Sequence, residues 1–497
     1  MKPSPAAREL ILVVESEVGL RVTTEGLMSV KEAPLDSLDQ LLSSEGVSLE
    51  PLFGLSEELV DRRSQVTEAG VEEPLSALSL FYKVSAPDSM LEVLAEQFRH
   101  DPSVRAAFVK PGAELPLMNS GRTWPPPTQP SAHTPDLSSL QIYLGSAPEG
   151  VNAIAAWARP GGGGLGIRII DVEGAWRFTH EDLTENQGGV AGGTETPELL
   201  WRNHGTAVLG ILSGDRNQGH NFGIIGICPE ALVRAVSVYG QPGSHFPSDS
   251  GTAAAIRQAA DLLRSGDIMV IEMQLPGPQF GFQIREDQRG YIPVEWWPDN
   301  LAAIQYAVAR GVVVVEAAGN GASDLDSDIF EQNPAPPYGP FPADWKNPFR
   351  RTNVDSGAIV VGAGAPLRGL NGSDWGPDRS RMEFSNFGSV VDAQGWGQEV
   401  TTCGFGNLQQ GPDEDRWYTP DFGGTSSASP MVAGALACVQ GILLDAGKAL
   451  LTPAQARQLL RATGSPQVDS DPQDNRPASQ RIGKRPDILQ MIENLGL

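Results

Sequence analysis

The chain has 497 residues and a net charge of −25 at pH 7, with 40% hydrophobic and 20% charged residues. This length accommodates one large and one smaller domain, and the composition is that of a globular chain with a sizeable core. The acidic balance excludes nucleic acid as the main partner, because binding phosphates requires local positive charge. No apolar run reaches the ~18 residues of a membrane span, so we also expect no membrane partner.

The N-terminal segment and the cysteines bear on the cellular compartment. The apolar stretch at residues 10–14 is closed by Glu15 and Glu17 and is shorter than the ~7–15 apolar residues of a secretory signal. We therefore expect a cytoplasmic protein, or one exported without a classical signal peptide. Three cysteines in 497 residues exclude a disulfide framework, and we interpret all three as small packing groups.

Residues 1–115 are predicted to form a small domain of their own. Apolar, β-branched runs indicate strands at 10–14, 49–53, 78–84 and 104–109. Apolar residues at helical spacing indicate one helix at 35–42 and a second that begins at Asp88. The resulting order β-α-β-β-α-β is typical of a ferredoxin-like α+β sandwich with its helices on one face of the sheet.

A change of pattern follows this domain. The proline-rich segment 116–150 is interpreted as a linker, because proline runs are extended and semi-rigid. Residues 151–497 are interpreted as a second domain in which helices alternate with apolar strands, the strands lying at 167–170, 233–238, 268–273, 312–315 and 359–361. Unbroken apolar strands between helices are typical of a parallel sheet covered on both faces. We predict a doubly wound α/β domain whose active site lies at the carboxyl ends of its strands.

Three polar residues at the ends of predicted elements are candidates for nucleophilic catalysis. Asp171 directly follows a strand, His204 lies near the start of a helix, and Ser426 begins a long apolar helix. Each has a simpler interpretation, as a turn cap, a structural histidine and a helix cap, respectively. A serine hydroxyl is a weak nucleophile that needs a base, and the base needs an orienting carboxylate. Together the three residues supply this set in the order Asp, His, Ser.

A fourth candidate follows the strand at 312–315. The Asn320 side chain can donate a hydrogen bond to the oxyanion of a tetrahedral intermediate, and loss of such a donor typically costs ~10²–10³ in rate. The backbone N–H of Ser426 lies at a helix N-terminus, where partial positive charge favours an anion. These two donors are predicted to form an oxyanion hole.

In chain order, these motifs resemble those of the subtilisin-like serine proteases, the subtilases, whose triad has the order Asp, His, Ser. The resemblance covers the chain from about residue 150 to the C-terminus. It implies that Asp171 orients His204, that His204 is the general base and acid, that Ser426 is the nucleophile and that Asn320 helps to form the oxyanion hole. The matching segments are Asp171 with His180-Glu181-Asp182-Leu183, His204-Gly205-Thr206, Ala318-Gly319-Asn320, and Gly424-Thr425-Ser426 with Ala428-Ser429-Pro430.

The resemblance also implies how partners bind. The family pairs an extended peptide with an edge strand by strand addition. The N-terminal domain is similar to the family's propeptide, which assists folding and blocks the active site. The implied partners are therefore a protein or peptide substrate and the chain's own N-terminal domain. The resemblance implies no cofactor for the chemistry. It allows a structural calcium ion, which is common in related proteases, but the sequence does not assign the ion to a particular site. The implied substrate-binding residues are Met273, Gln274, Leu275, Pro276 and Gly277.

Two residues depart from the family pattern. Glu173 stands where many relatives have small residues, and its charge is expected to raise the pKa of His204. Pro276 stands where the pattern has glycine and removes one backbone donor from the edge strand.

Acidic residues also cluster around the predicted site. One interpretation is a pocket for basic substrate side chains; the preferred one is ordinary surface acidity in an acidic chain. Three of them have calcium-ligand spacing but lack the glycine and glutamate of an EF-hand. The cluster comprises Glu272, Glu295, Glu316, Asp324, Asp326 and Asp328.

We predict a serine endopeptidase that is inhibited by its N-terminal domain. Residues 1–120 contain 20 acidic and 10 basic residues, a net charge of −10 that leaves −15 for the rest of the chain. Opposite net charge cannot drive docking, so we expect an apolar interface and insertion of residues 111–122 into the substrate groove. The alternative is a catalytically silent peptide-binding module on the same fold. An esterase or lipase is disfavoured, because Ser426 lacks the Gly-x-Ser-x-Gly flanks of α/β-hydrolases.

Overall fold

The computed structural model describes residues 5–53, 78–117, 133–217, 222–240 and 250–497. The first two ranges form an N-terminal α+β domain followed by an extended tail. Its elements are β1 (Glu9–Val14), β2 (Leu20–Thr23), β3 (Gly26–Ser29), α1 (Asp36–Glu45), β4 (Ser48–Pro51), β5 (Phe81–Ser85), α2 (Leu91–Arg99) and β6 (Val104–Lys110).

A four-stranded antiparallel sheet in the order β4-β5-β1-β6 is the centre of this domain. Strand β1 alternates its side chains between two cores, as a period of two requires. Leu10 and Leu12 pack with the domain's own helices, whereas Ile11 and Val13 face the second domain. The predicted order β-α-β-β-α-β is confirmed, with the hairpin of β2 and β3 as an addition that the sequence analysis missed.

The remaining described residues form a large α/β domain. Its elements are α3 (Ala153–Ala156), β7 (Arg168–Glu173), β8 (Gln187–Gly192), α4 (Leu199–Ser213), β9 (Leu232–Ser237), α5 (Thr252–Leu262), β10 (Ile268–Ile271), β11 (Gln274–Pro276), β12 (Tyr291–Pro293), α6 (Pro298–Ala309), β13 (Val313–Ala317), β14 (Ile359–Gly364), β15 (Val391–Trp396), β16 (Val400–Cys403), β17 (Tyr418–Phe422), α7 (Thr425–Asp445), α8 (Pro453–Ala462) and α9 (Ile488–Asn494).

Seven parallel strands form the main sheet in the order β15-β14-β13-β10-β7-β9-β8. Apolar side chains alternate between its faces, so that Ile169 packs with α4 and α7 while Ile170 packs with α5 and α6. The predicted doubly wound, parallel sheet is confirmed. The chain moves outward from β7 in one direction to β9 and in the other to β10. This reversal creates the crevice at the carboxyl ends of the strands in which such folds bind ligands.

Helix α7 lies at the centre of the larger core. By length and composition it is apolar enough to cross a membrane, but 94% of its most apolar window is buried inside the protein. Its apolar side chains pack against the sheet and against α4. We therefore interpret α7 as a core helix.

The structure corrects the predicted boundary of the linker. From residue 133 onward, the segment packs as part of the α/β domain, whereas residues 118–132 lie outside the described part of the chain. The backbone N–H of Leu137 donates to the Gly223 carbonyl at 2.7 Å, and the Tyr143 hydroxyl donates to the Thr401 carbonyl at 3.0 Å. Proline content signalled an extended path, but the apolar residues between the prolines bury themselves in the core.

The two domains dock through apolar surface with one buried charge cluster. The Phe108 ring of β6 lies 5.0 Å from the Phe341 ring and 6.2 Å from the Trp297 ring of the α/β domain. Beside them, the Lys110 ammonium lies between Glu9, at 2.9 Å, and Asp299 of α6. All three charged side chains are buried. The cluster therefore provides a local ionic attraction between two domains that both carry a net negative charge.

This cluster predicts a pH-dependent contribution to stability. Two lysines, Lys110 and Lys83, outweigh the burial of Glu9 and lower its pKa from 4.5 to about 2. A carboxyl whose pKa is lowered by folding stabilises the folded state above its unfolded pKa, and this stability is lost as the pH falls through the folded value. At neutral pH, Glu9→Gln should therefore lower the free energy of unfolding by about 3 kcal/mol, from 1.36 kcal/mol per pKa unit. Denaturant unfolding of both proteins should show the difference shrinking between pH 4.5 and 2. A difference that does not depend on pH would contradict the assignment.

Candidate active site

The catalytic histidine candidate pairs with a glutamate at the end of β7. Strand β7 extends through Glu173, three residues beyond the predicted end at residue 170. His204 lies on α4, and its Nδ1 is 2.8 Å from Glu173 Oε2, with both side chains fully buried. This contact corrects the prediction that Asp171 orients His204.

Asp171 lies on the same face of β7 as Glu173, one step behind it. Its Oδ2 accepts a 2.6 Å hydrogen bond from the Trp176 indole, and its carboxyl lies next to that of Glu173. Burial, together with the neighbouring charge of Glu173, raises the pKa of Asp171 well above its usual value. Burial likewise raises the pKa of Glu173.

The imidazole of His204 is enclosed by the protein. The Phe422 ring packs edge-on against it at 5.2 Å, and the Nε2 atom has no hydrogen-bond partner among the described residues. Burial lowers the pKa of His204 to about 3, where the sequence analysis expected Glu173 to raise it. The cost of desolvating the charged imidazolium decides the direction. A neutral imidazole with a free Nε2 is the form that can accept a proton.

Ser426 lies in the first turn of α7 and contacts a peptide carbonyl. Its Oγ donates a hydrogen bond to the Pro116 carbonyl oxygen at 3.1 Å. Pro116 belongs to the tail that follows the N-terminal domain, a segment here defined as residues 111–117. The structure thus brings the predicted nucleophile to a carbonyl of the chain's own backbone.

Asn320 follows β13, and two further residues hold its side chain. Its Oδ1 accepts from the backbone N–H of Thr425 at 3.0 Å, which fixes the orientation of the amide. The Nδ2 atom donates to Gln288 at 3.0 Å, and its second hydrogen remains for another acceptor. A Cβ atom on Gly424 would lie 2.0 Å from the Pro116 carbonyl oxygen and 3.2 Å from Asn320 Nδ2. The peptide carbonyl and the amide therefore meet over Gly424.

This close approach predicts that Gly424→Ala blocks the site. The new methyl group would overlap the position of the peptide carbonyl oxygen, and displacing a reacting group by about 1 Å can cost ~10²-fold in rate. Hydrolysis of a peptide substrate should fall by about this factor. Gly447→Ala is the matched control, because Gly447 also has a positive φ of 62° but no atom within 4 Å of an added Cβ. Equal losses in both variants would indicate backbone strain instead of a blocked carbonyl site.

The tail pairs with the predicted substrate-binding segment at one residue. The backbone N–H of Glu114 donates to the Gln274 carbonyl at 3.0 Å, and the Gln274 N–H donates to the Glu114 carbonyl at 2.9 Å. Met273 and Leu275 instead bury their side chains in the apolar core. Gln274, Leu275 and Pro276 form β11, whose other edge pairs with β12, and the Gly277 N–H donates to the Gly290 carbonyl.

The acidic cluster does not form one pocket. Glu272, Glu295 and Glu316 are completely buried, and the Ser429 hydroxyl donates to Glu272 at 2.6 Å. A cavity of about 660 Å³ opens beside Asn320, but other acidic residues line it, together with Arg289 and Arg476. Half of the six acids face the core, so they neither line a common pocket for basic side chains nor are all ordinary surface acidity.

The carboxylates with calcium-ligand spacing do not converge either. The Asp326 carboxylate accepts from the Ser389 backbone at 2.8 Å, whereas Asp328 pairs with Arg350 at 3.1 Å. Within the described ranges, no group of three or more His, Cys, Asp or Glu side chains is placed to bind a metal. These residues do not fit a calcium site.

Sequence comparison identifies the family. The model of the subtilase family of peptidases matches residues 132–482. Subtilisin amylosacchariticus from Bacillus subtilis subsp. amylosacchariticus is 26% identical over 326 residues, covering 65% of this chain and 67% of the relative. The major intracellular serine protease of Bacillus subtilis (strain 168) is 27% identical over 344 residues, covering 66% and 86%. The chain belongs to the subtilase family and is a serine endopeptidase.

Solved structures share the fold over nearly the whole chain. The epidermin leader peptide processing serine protease of Staphylococcus aureus has a TM-score of 0.53 at 16% identity, with 99% of both chains covered. Fervidolysin from Fervidobacterium pennivorans, a keratinolytic enzyme related to subtilisin, has a TM-score of 0.52 at 18% identity, covering 99% of this chain and 62% of its own. Both likenesses concern the fold.

Proposed function

We propose that this endopeptidase uses Ser426 as nucleophile, His204 as general base and acid, and Glu173 as the orienting carboxylate. The observation that supports this set best is the 2.8 Å pair of His204 Nδ1 with Glu173, which leaves Nε2 as the proton acceptor. A peptide carbonyl lies at Ser426 Oγ. A carboxylate on Nδ1 fixes the tautomer and stabilises the imidazolium that forms when the base accepts a proton.

The reaction is acyl transfer in two stages. Ser426 Oγ attacks the substrate carbonyl carbon while its proton passes to His204 Nε2. The oxyanion accepts hydrogen bonds from Asn320 Nδ2 and from the Ser426 backbone N–H. His204 then gives the proton to the leaving amine, and the peptide bond breaks to leave an acyl-enzyme. A water molecule, deprotonated by His204, hydrolyses this ester and restores Ser426.

We further propose that the N-terminal domain inhibits the enzyme through the tail. The tail pairs with Gln274 as an extended strand and presents the Pro116 carbonyl to Ser426. In this arrangement the Ser426 hydroxyl donates to Pro116, so its proton is not directed at His204. The apolar interface around Phe108 and the buried Lys110 hold the residues just before the tail against the α/β domain. A substrate must displace the tail before it can bind.

Fluorophosphonate labelling of the full chain, followed by intact mass, tests the nucleophile. Wild-type protein should gain one label after limited cleavage within the undescribed residues 118–132, and Ser426→Ala should gain none. Ser427→Ala is the matched control, because that neighbouring hydroxyl donates to the Trp396 carbonyl at 2.7 Å and faces away from the tail. If cleaved wild-type protein takes no label while its circular dichroism is unchanged, the silent peptide-binding module becomes the better description.

A further inference from the structure

The side chain of Glu114 occupies a buried polar pocket beside the substrate crevice. Its Oε1 accepts a hydrogen bond from the Tyr291 hydroxyl at 2.6 Å, and its Oε2 pairs with Arg285 Nη1 at 3.0 Å. Glu114 has an exposed fraction of 0%. A carboxylate removed from water in this way needs charged and hydrogen-bonding partners, and this pocket supplies one of each kind.

The pocket is built by α/β-domain residues that are fixed without the tail's help. Tyr291 is the first residue of β12, and its hydroxyl also accepts a hydrogen bond from the Arg285 backbone N–H at 3.0 Å. This second contact fixes the position of the Tyr291 phenol relative to the loop that carries Arg285. The phenolic hydrogen then remains for an acceptor in the crevice.

The loop that presents Arg285 has an unusual backbone. Phe282, Arg285, Asp287 and Gln288 all have φ between 57° and 73°, although none of them is glycine. Such conformations are costly for residues with a Cβ, and they are concentrated at ligand-binding loops. The loop also reaches the tail a second time, since Gln288 Nε2 donates to the Leu115 carbonyl at 2.8 Å. Two of the four strained residues therefore contact the peptide that occupies the crevice.

The position of Glu114 relative to Ser426 defines which substrate residue this pocket would take. Pro116 presents the carbonyl at Ser426, so Glu114 is the third residue on the amino side of that bond. A glutamine at this place would leave the guanidinium of Arg285 without its counter-charge, and a lysine would oppose it directly. The pocket therefore distinguishes an acidic side chain from its neutral and basic counterparts.

We propose that Arg285 and Tyr291 form a specificity subsite that selects substrates with an acidic side chain three residues before the cleaved bond. The proposal rests on the proposed protease function, since the tail is taken to occupy the crevice as a substrate does. The proposed preference is for an acidic substrate side chain, whereas the acidic residues around the site suggest a preference for a basic one.

Internally quenched peptides test the subsite on the protein after limited cleavage within residues 118–132, so that a substrate can displace the tail. The core of each peptide is Ala-Xaa-Leu-Pro-Leu, the sequence of residues 113–117, with Glu, Gln or Lys at Xaa. We expect kcat/KM for the Glu peptide to exceed that for the Gln peptide by ~10–100-fold, because charge-assisted hydrogen bonds are the strong ones. Arg285→Gln should remove this preference and bring the kcat/KM values of the Glu and Gln peptides together. Arg289→Gln is the matched control, since Arg289 lies over the Phe280 ring and is exposed.

A second readout does not depend on catalysis. In a Ser426→Ala background, amide hydrogen exchange of residues 113–117 reports how firmly the tail is docked. Glu114→Gln and Arg285→Gln should each reduce protection of these amides about tenfold or more, in line with the loss of a charge-assisted contact, whereas Arg289→Gln should not. If wild-type protein that has been cleaved within residues 118–132 cuts none of the peptides, the protease proposal fails while the exchange data still decide the subsite. Equal cleavage of the Glu and Gln peptides, or unchanged exchange in both tail and pocket variants, would overturn the subsite.

Discussion

Replacing Glu173 by glutamine should lower kcat for a peptide substrate by about 10⁴, as expected when the residue that sets the tautomer of a catalytic histidine is lost. Glu173 accepts a hydrogen bond from His204 Nδ1 at 2.8 Å and so directs the free electron pair of the imidazole to Nε2. A glutamine can present an N–H to Nδ1 instead, and this would place the imidazole hydrogen on Nε2. His204 would then be unable to take the proton of Ser426.

Asp171→Asn is the discriminating comparison for this result. Asparagine keeps the acceptor for the Trp176 indole and removes the charge of Asp171 beside Glu173. Because Asp171 acts through Glu173 and does not contact His204, we expect kcat to fall by only about tenfold, the lower end of the effects of residues that orient a functional group indirectly. If Asp171→Asn were as damaging as Glu173→Gln, the orienting role would return to Asp171. Unchanged near-ultraviolet circular dichroism would exclude loss of folding in either variant.

The second large effect concerns Asn320. Its amide is oriented by Thr425 and lies with the Pro116 carbonyl over Gly424, where a substrate oxyanion would develop. Asn320→Ala should lower kcat by ~10²–10³ with a small change in KM, because the donated hydrogen bond strengthens only in the transition state. Steady-state kinetics on the Ala-Glu-Leu-Pro-Leu peptide would separate the two parameters.

A neighbouring donor provides the control for Asn320. Gln288→Ala removes the acceptor of Asn320 Nδ2 and the donor to the Leu115 carbonyl, but leaves the Asn320 amide itself in place. This variant should mainly raise KM, since Gln288 contacts peptide backbone away from the reacting carbonyl. A fall in kcat for Gln288→Ala equal to that for Asn320→Ala would place the oxyanion donor elsewhere.

The contrast between Asp171 and Glu173 shows what sequence reasoning missed. The strand was predicted to end at residue 170 because a charged residue followed it, yet β7 continues through Glu173. Side chains two apart share a face of a strand, so both carboxyls were candidates by geometry alone. The departure of Glu173 from the family pattern was the available signal, but it was interpreted as a perturbing charge. Only the packing of α4 against the sheet shows which carboxyl reaches His204.

The sequence by itself determined the order of elements, the class of both domains and the identity of the histidine, serine and asparagine candidates. Unbroken apolar strands and motifs at their ends encode this information locally, because burial on both faces and turn chemistry impose it on each segment. The tertiary structure decided the partner of His204, the acidic-side-chain pocket and the burial of residues 133–150. Each of these depends on contacts between residues far apart in the chain, such as Glu114 with Arg285 and Tyr291, whose proximity no local pattern records.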